Sequence, residues 1–207
     1  NGDFGGPNGN IKVTAGLYKI TINTSTKTST IEKDPRAMFH TDGQKLEIEA
    51  IGTFTDGYAV TKFKNVTRTG AAGSDSSGNF TDTDFPLFRI EDVYLMYAEA
   101  TLRGGGGDLN TAIGYMNSLR NRGGKTFGKV TSINLDFILN ERGRELFWEG
   151  HRRTDLIRFG RFSDGTYVWP WKGGVMDGTA TASYLNVFPI PASDINANPN
   201  LSQNAGY

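Results

Sequence analysis

Gly104 to Gly107 are four glycines in succession, and no helix runs through four residues that each weaken it by about 1 kcal/mol relative to alanine. On their N-terminal side Ile90, Val93, Tyr94, Tyr97 and Ala98 repeat at the spacing of an amphipathic helix. On their C-terminal side Asp108 stands where it can cap a second helix carrying Leu109, Ala112, Ile113, Met116 and Leu119. Gly123-Gly124 stop that helix. Two helices joined by so short a loop must pack antiparallel, as a hairpin of the tetratricopeptide kind. A single hairpin cannot bury its own apolar face. Its partners are therefore the rest of this chain or a portion N-terminal to it.

The remaining segments take different periods. Residues 1–84 read as a loop-rich subdomain with short strands. Within "KLEIEAIGTFTDGYAVTKF", Leu46, Ile48 and Ala50 alternate with acids, and Asp56-Gly57 signals a turn before Tyr58, Val60 and Phe63, which predicts a β-hairpin. The polar stretch 67–84 reads as a solvated surface loop. Residues 85–207 read as the helical region. A third helix is predicted from about Leu135 to Trp148, stopping at Gly150, and a short fourth from Arg153 to Phe159. Beyond it, "FPIPASDINANPNLSQNAGY" is punctuated by proline and asparagine. It reads as an extended tail anchored by Leu185, Val187, Phe188 and Ile190.

Composition removes several functions. Lys+Arg and Asp+Glu both number 22, so no net charge draws the chain to nucleic acid or acidic lipid. Cysteine is absent, which excludes disulfides, thiolate metal sites and cysteine nucleophiles. The two histidines, His40 and His151, lack metal-ligand spacing, and neither GxSxG nor a phosphate loop occurs. No cofactor and no metal site is expected. "DSSGNFTDTD" lacks the loop glycine and distal glutamate of an EF-hand, so solvation outweighs calcium there.

Charge is dense in "ERGRELFWEGHRRTDL" (141–156), where Glu141, Glu145 and Glu149 recur every four residues. Such carboxylates lie roughly 6 Å apart along a helix, near the separation of about 5–5.5 Å in retaining glycosidases. They project side by side, however, whereas a glycosidase pair must flank its substrate. With Arg142, Arg144, Arg152, Arg153 and Arg158 nearby, an ion-pair scaffold is the stronger reading, and glycoside hydrolysis the weaker one.

Aromatic rings supply the binding candidates. "YVWPWKGG" (167–174) places Trp169 and Trp171 in a non-helical segment. The opening "NGDFGGPNGN" sets Phe4 among glycines beside Asn8 and Asn10. Rings stack on the apolar faces of sugars, and amides donate to and accept from hydroxyls. Phe4, Asn8, Asn10, Trp169 and Trp171 are therefore the candidate ligand-binding residues, and for Trp169 and Trp171 the stronger competing reading is that they pin their loop onto the helices. Phe147 and Trp148, placed inside the third helix, are expected to be core.

Four stretches then resemble, in order, the C-terminal part of the SusD/RagB family of outer-membrane nutrient-binding lipoproteins: "DPRAMF" (34–39), "TDFPLFRIEDVYLMYAEA" (83–100), "INLDFILNERGRELFWEGHRRTDLIRFGRF" (133–162) and "NVFPIPASDINANPNLSQNAGY" (186–207). The resemblance implies a mainly α fold of tetratricopeptide-like helix pairs, with long irregular loops and a small β-hairpin region. It also implies a non-enzyme that captures oligosaccharide, or peptide in some members, at the cell surface. The load would pass to a SusC-type TonB-dependent transporter in the outer membrane. The lipobox cysteine and further helix pairs of the family have no counterpart in residues 1–207. A lipid anchor and part of the ligand site are therefore expected on an N-terminal half of the same protein. No ligand-contacting residue carries over by motif.

Overall fold

A computed structural model describes residues 12–13, 18–23, 28–34, 36–77, 79–122 and 128–207, with backbone alone described up to residue 33. The first elements are strands β1 (Lys12–Val13), β2 (Tyr18–Asn23) and β3 (Thr28–Lys33). They form an antiparallel sheet in the order β1-β2-β3, with Ile20 opposite Ile31. A separate two-stranded sheet joins β4 (Phe39–His40) to β5 (Ala59–Val60), pairing Phe39 with Val60.

That second sheet replaces the hairpin predicted across Asp56-Gly57. Residues 46–50 form no strand, because the Asp56 carboxylate accepts the backbone N–H groups of Glu49 and Ala50. Once those donors are engaged locally, no ladder can form with 58–60, and β5 pairs with β4 instead.

Helices α1 (Ile90–Leu102) and α2 (Leu109–Arg120) form the expected antiparallel hairpin. Glu91 and Asp92 place negative charge at the start of α1, where the helix dipole favours it. The N–H groups of Gly104 and Gly105 close the last turn on Thr101 and Ala100, with Gly104 at φ +89°. Asp108 Oδ1 then accepts the Thr111 N–H at 2.7 Å and caps α2. Tyr115 stacks flat on Tyr94 at 4.2 Å and meets Tyr97 edge-on. Helix α3 (Leu135–Glu145), capped by Asn134, packs on α1. The shared core is Leu95, Ala98, Ala112, Met116, Leu119, Ile138, Leu139 and Leu146.

Two details depart from the sequence reading. The buried face of α1 is that of Leu95, Ala98 and Glu99, while Ile90, Val93 and Met96 are exposed. The helix carries apolar residues on two faces, and periodicity alone does not say which turns inward. Helix α3 also ends at Glu145 rather than Trp148. Lys62 Nζ donates to the carbonyls of Glu145 and Phe147, and Arg89 Nη2 to that of Glu145. These side chains satisfy the terminal carbonyls in place of another helical turn. Trp148 consequently sits at φ +62° and is exposed, not core. Phe147 is half-buried, edge-on to Phe39 at 5.6 Å.

The chain divides into two compact units, Gly2–Arg152 and Arg153–Tyr207. The second follows α4 (Arg152–Arg158) with an irregular loop, a 3-10 turn at Ser183–Asn186 and α5 (Ala192–Ala197). Here the two C-terminal motifs hold one another. Gln203 pairs with both backbone groups of Ile190, at 2.8 and 2.9 Å. Asn204 Nδ2 donates to Phe188 O, and Tyr207 Oη to Val187 O. The tail is therefore a strap folded back on "VFPI". Leu185 and Ile190 are half-buried as expected of anchors, whereas Val187 and Phe188 are exposed.

Candidate functional site

The glutamate row is closed to solvent. Glu141, Glu145 and Glu149 are 0, 1 and 5% exposed. Glu141 Oε2 accepts from Arg144 Nε at 2.9 Å and from Arg120 Nη1 at 3.2 Å, and its Oε1 lies 2.8 Å from Arg36 Nη1. Glu145 meets Arg36, Arg89 and Arg122 at 2.9, 2.7 and 3.0 Å. Glu149 accepts two hydrogen bonds from Arg89 and one from Lys62. Arg36 is itself held by Asp34 through a two-point contact of 3.0 and 2.7 Å. Of the neighbouring arginines named from the sequence, Arg144 is a partner of this row, while Arg142 Nη1 donates to Asp92. Most of the cations arrive from distant segments, at 36, 62, 89 and 120–122.

Electrostatics favour the ionised form of Glu141 and Glu149. Burial pushes the Glu141 carboxyl up, and the nearby charges of Arg144, Arg36 and Arg120 outweigh it, so its pKa falls below the ordinary value. Glu149 follows the same balance: burial raises it, and hydrogen bonds from Arg89 and Lys62 bring the net value down. A general acid needs a raised pKa and access to substrate. Glu141 and Glu149 have neither, and Glu145 is closed to substrate as well.

The open chemistry is aromatic. In the unit Arg153–Tyr207 a cavity of about 360 Å³ is lined by Arg153, Phe162, Trp169, Lys172, Gly173, Thr181, Leu185, Phe188 and Tyr207. That volume is within the usual range for small-ligand sites, about 300–1,000 Å³. Its floor is fixed by Lys172, which is 2% exposed. Lys172 Nζ donates to Asp164 O at 2.5 Å and Tyr167 O at 2.7 Å, and stands 4.7 Å from the Trp169 ring centre. Burial lowers the Lys172 pKa and the charge of Asp164 partly restores it. The Arg153 guanidinium covers the Phe188 ring at 3.8 Å and the Phe162 ring at 4.9 Å, while Nη2 donates to Leu185 O. Both cations are thus already engaged. What the cavity offers a ligand is mainly ring surface, with the Thr181 side chain as a small polar contributor.

The two tryptophans named from the sequence separate here. Trp169 lines the cavity, with the Phe162 and Tyr167 rings tilted against it at 6.2 and 6.3 Å between centres. Trp171 is half-buried outside the lining. Its backbone forms the following turn at φ +66°, donating to Met176 O and accepting from Gly174 N. Phe4, Asn8 and Asn10 lie outside the described residues. The sequence reading did not select Phe162, Phe188, Tyr207, Arg153 or Lys172 as site residues. The signal available for Phe188 and Tyr207 was that both sit in the two C-terminal motifs that fold onto each other. Among the described residues no helix is long and apolar enough to cross a membrane, and no cluster of three His, Cys, Asp or Glu could hold a metal.

Comparison with known proteins follows the same lines. The SusD family profile matches residues 17–207. The starch-binding protein SusD of Bacteroides thetaiotaomicron is 46% identical over 164 residues, covering 79% of this chain and 28% of that protein. SusD-like protein P25 of Formosa agariphila is 33% identical over 147 residues, 64% of this chain and 27% of the relative. This chain thus spans under a third of the length of these relatives. Among solved structures, surface glycan-binding protein A of Bacteroides thetaiotaomicron in complex with laminarihexaose superposes with a TM-score of 0.53 at 26% identity. The match covers 72% of this chain and 32% of that one. A SusD superfamily protein of Parabacteroides distasonis shares the fold, with a TM-score of 0.54 at 22% identity over 87% of this chain and 43% of its own.

Proposed function

This chain belongs to the SusD family, and from that premise we propose that it is part of a non-catalytic, carbohydrate-capturing protein of the outer cell surface. The observation that carries the reading is the 46% identity to a protein named for binding starch. A second relative of known structure was solved with laminarihexaose bound, which widens the class from starch to glucans. Burial of Glu141, Glu145 and Glu149 within an arginine lattice supports binding without hydrolysis. In this reading the helices and the lattice are scaffold, and loops meet the ligand.

We assign the cavity around Trp169 to a sugar ring. Stacking removes the apolar C–H face of the ring from water, and four aromatic side chains line the cavity. Captured oligosaccharide would pass to a SusC-type TonB-dependent transporter, the partner that the family resemblance implies. Migration of the chain through native gels cast with and without soluble starch tests the central point. Retardation in starch that laminarihexaose or short starch fragments relieve supports the assignment. Equal mobility in both gels removes starch as the ligand.

A further inference from the structure

Among the described residues, the non-glycine positions with positive φ are two tryptophans, Trp148 and Trp171. The second is explained by its turn, but the first is not explained by packing. Trp148 is 62% exposed at φ +62°. A left-handed position past a helix end is ordinarily glycine, because a β-carbon there meets the backbone. The chain instead carries its bulkiest side-chain type at such a position, and leaves the ring in water.

The surrounding turn is immobilised. Lys62 Nζ holds the carbonyls of Glu145 and Phe147, which lead into it. Arg89 grips the Glu149 carboxylate that follows, through Nε at 2.6 Å and Nη2 at 2.8 Å. Phe147 is braced edge-on against Phe39. Other exposed aromatics, Phe54 and Phe88, carry no such backbone penalty. We propose that Trp148 is a surface stacking platform for a neutral pyranose ring, additional to the cavity around Trp169. A rigid, exposed indole needs little ordering when a flat ligand settles on it. The adjoining Glu149 charge is compensated by Arg89 and Lys62, so no uncompensated charge beside the ring calls for an ionic ligand.

This inference rests on the carbohydrate reading above, and the test separates the two. Soluble starch and laminarihexaose are titrated into the 207-residue chain and into Trp148→Gly, with melting followed in parallel. Glycine suits the left-handed backbone, so Trp148→Gly melts at or above the temperature of the unmutated chain, while its affinity falls about tenfold. Saturating sugar shifts the tryptophan emission of the unmutated chain to the blue, and the shift shrinks in Trp148→Gly. Unchanged affinity in a folded Trp148→Gly overturns the platform and leaves the carbohydrate reading intact. Binding of neither sugar by the unmutated chain overturns the platform together with the assignment of the cavity around Trp169. Should Trp148→Gly lose its melting transition, Trp148→Asn, which also tolerates a left-handed backbone, is measured. Loss of folding in both makes Trp148 a structural residue and overturns the platform.

Discussion

Arg89 binds Glu149 through two nearly parallel contacts, Nε to Oε2 at 2.6 Å and Nη2 to Oε1 at 2.8 Å, and sends Nη1 to Glu145 at 2.7 Å. One guanidinium thus ties the approach to α1 to the end of α3 across about sixty residues of sequence. The fork geometry suits a planar donor, and lysine could not reproduce it.

Removing one member of this buried lattice leaves its partners uncompensated. Glu145→Gln keeps the shape but takes the charge away from Arg36, Arg89 and Arg122. The expected loss is about 3–5 kcal/mol, the range for breaking a buried pair. Urea denaturation of the chain and of Glu145→Gln measures it, and a difference below about 1 kcal/mol contradicts a buried, load-carrying pair.

Acid should unfold the chain through Glu141 and Glu149. Burial pushes Glu141 and Glu149 up, and their cationic neighbours bring both below the ordinary 4.5. A carboxylate with a depressed folded pKa contributes stability that is fully present above its unfolded value and is lost as pH falls through the folded one. Stability should therefore hold from neutral pH to about 4.5 and decline steadily below it. Melting temperature against pH reads this directly. A plateau continuing to strongly acidic pH would show that these carboxylates are not depressed.

Lys172 is a buried tether for the loop it closes. Lys172→Met leaves the carbonyls of Asp164 and Tyr167 without their donor, at about 1–3 kcal/mol. The cavity floor should loosen with it, so sugar affinity and melting temperature fall together. Retained affinity in Lys172→Met would mean that the cavity is not the site.

The tryptophans of the same loop should differ from each other. Trp169→Ala removes a ring from the cavity and is expected to weaken sugar binding by about 1–2 kcal/mol, roughly tenfold. Trp171→Ala changes a ring outside the lining, so its effect should be on melting temperature. Equal losses of affinity in the two would contradict the cavity assignment.

Local signals in the sequence located the helices well. Four glycines and Asp108 set the α1–α2 hairpin, and the "ERGRELFWEG" spacing identified a structural row of glutamates. Long-range partners were not legible. No pattern in the chain announces that Lys62 and Arg89 will take the last carbonyls of α3, so helical periodicity alone places Trp148 in the core. Asp56 gave a turn signal, yet its carboxylate served a neighbouring loop and displaced a strand. Trp169 was named from its aromatic neighbourhood, whereas Arg153, Phe188 and Tyr207 reach the cavity only after the C-terminal strap folds back through Gln203 and Asn204.

A calorimetric titration of the 207-residue chain with soluble starch oligosaccharide tests the central claim, binding without turnover, most directly. The account predicts saturable heats, with the signal returning to its original baseline after every injection. A baseline that stays displaced after injection, the signature of continuing hydrolysis, and that recovers in Glu145→Gln, would contradict it.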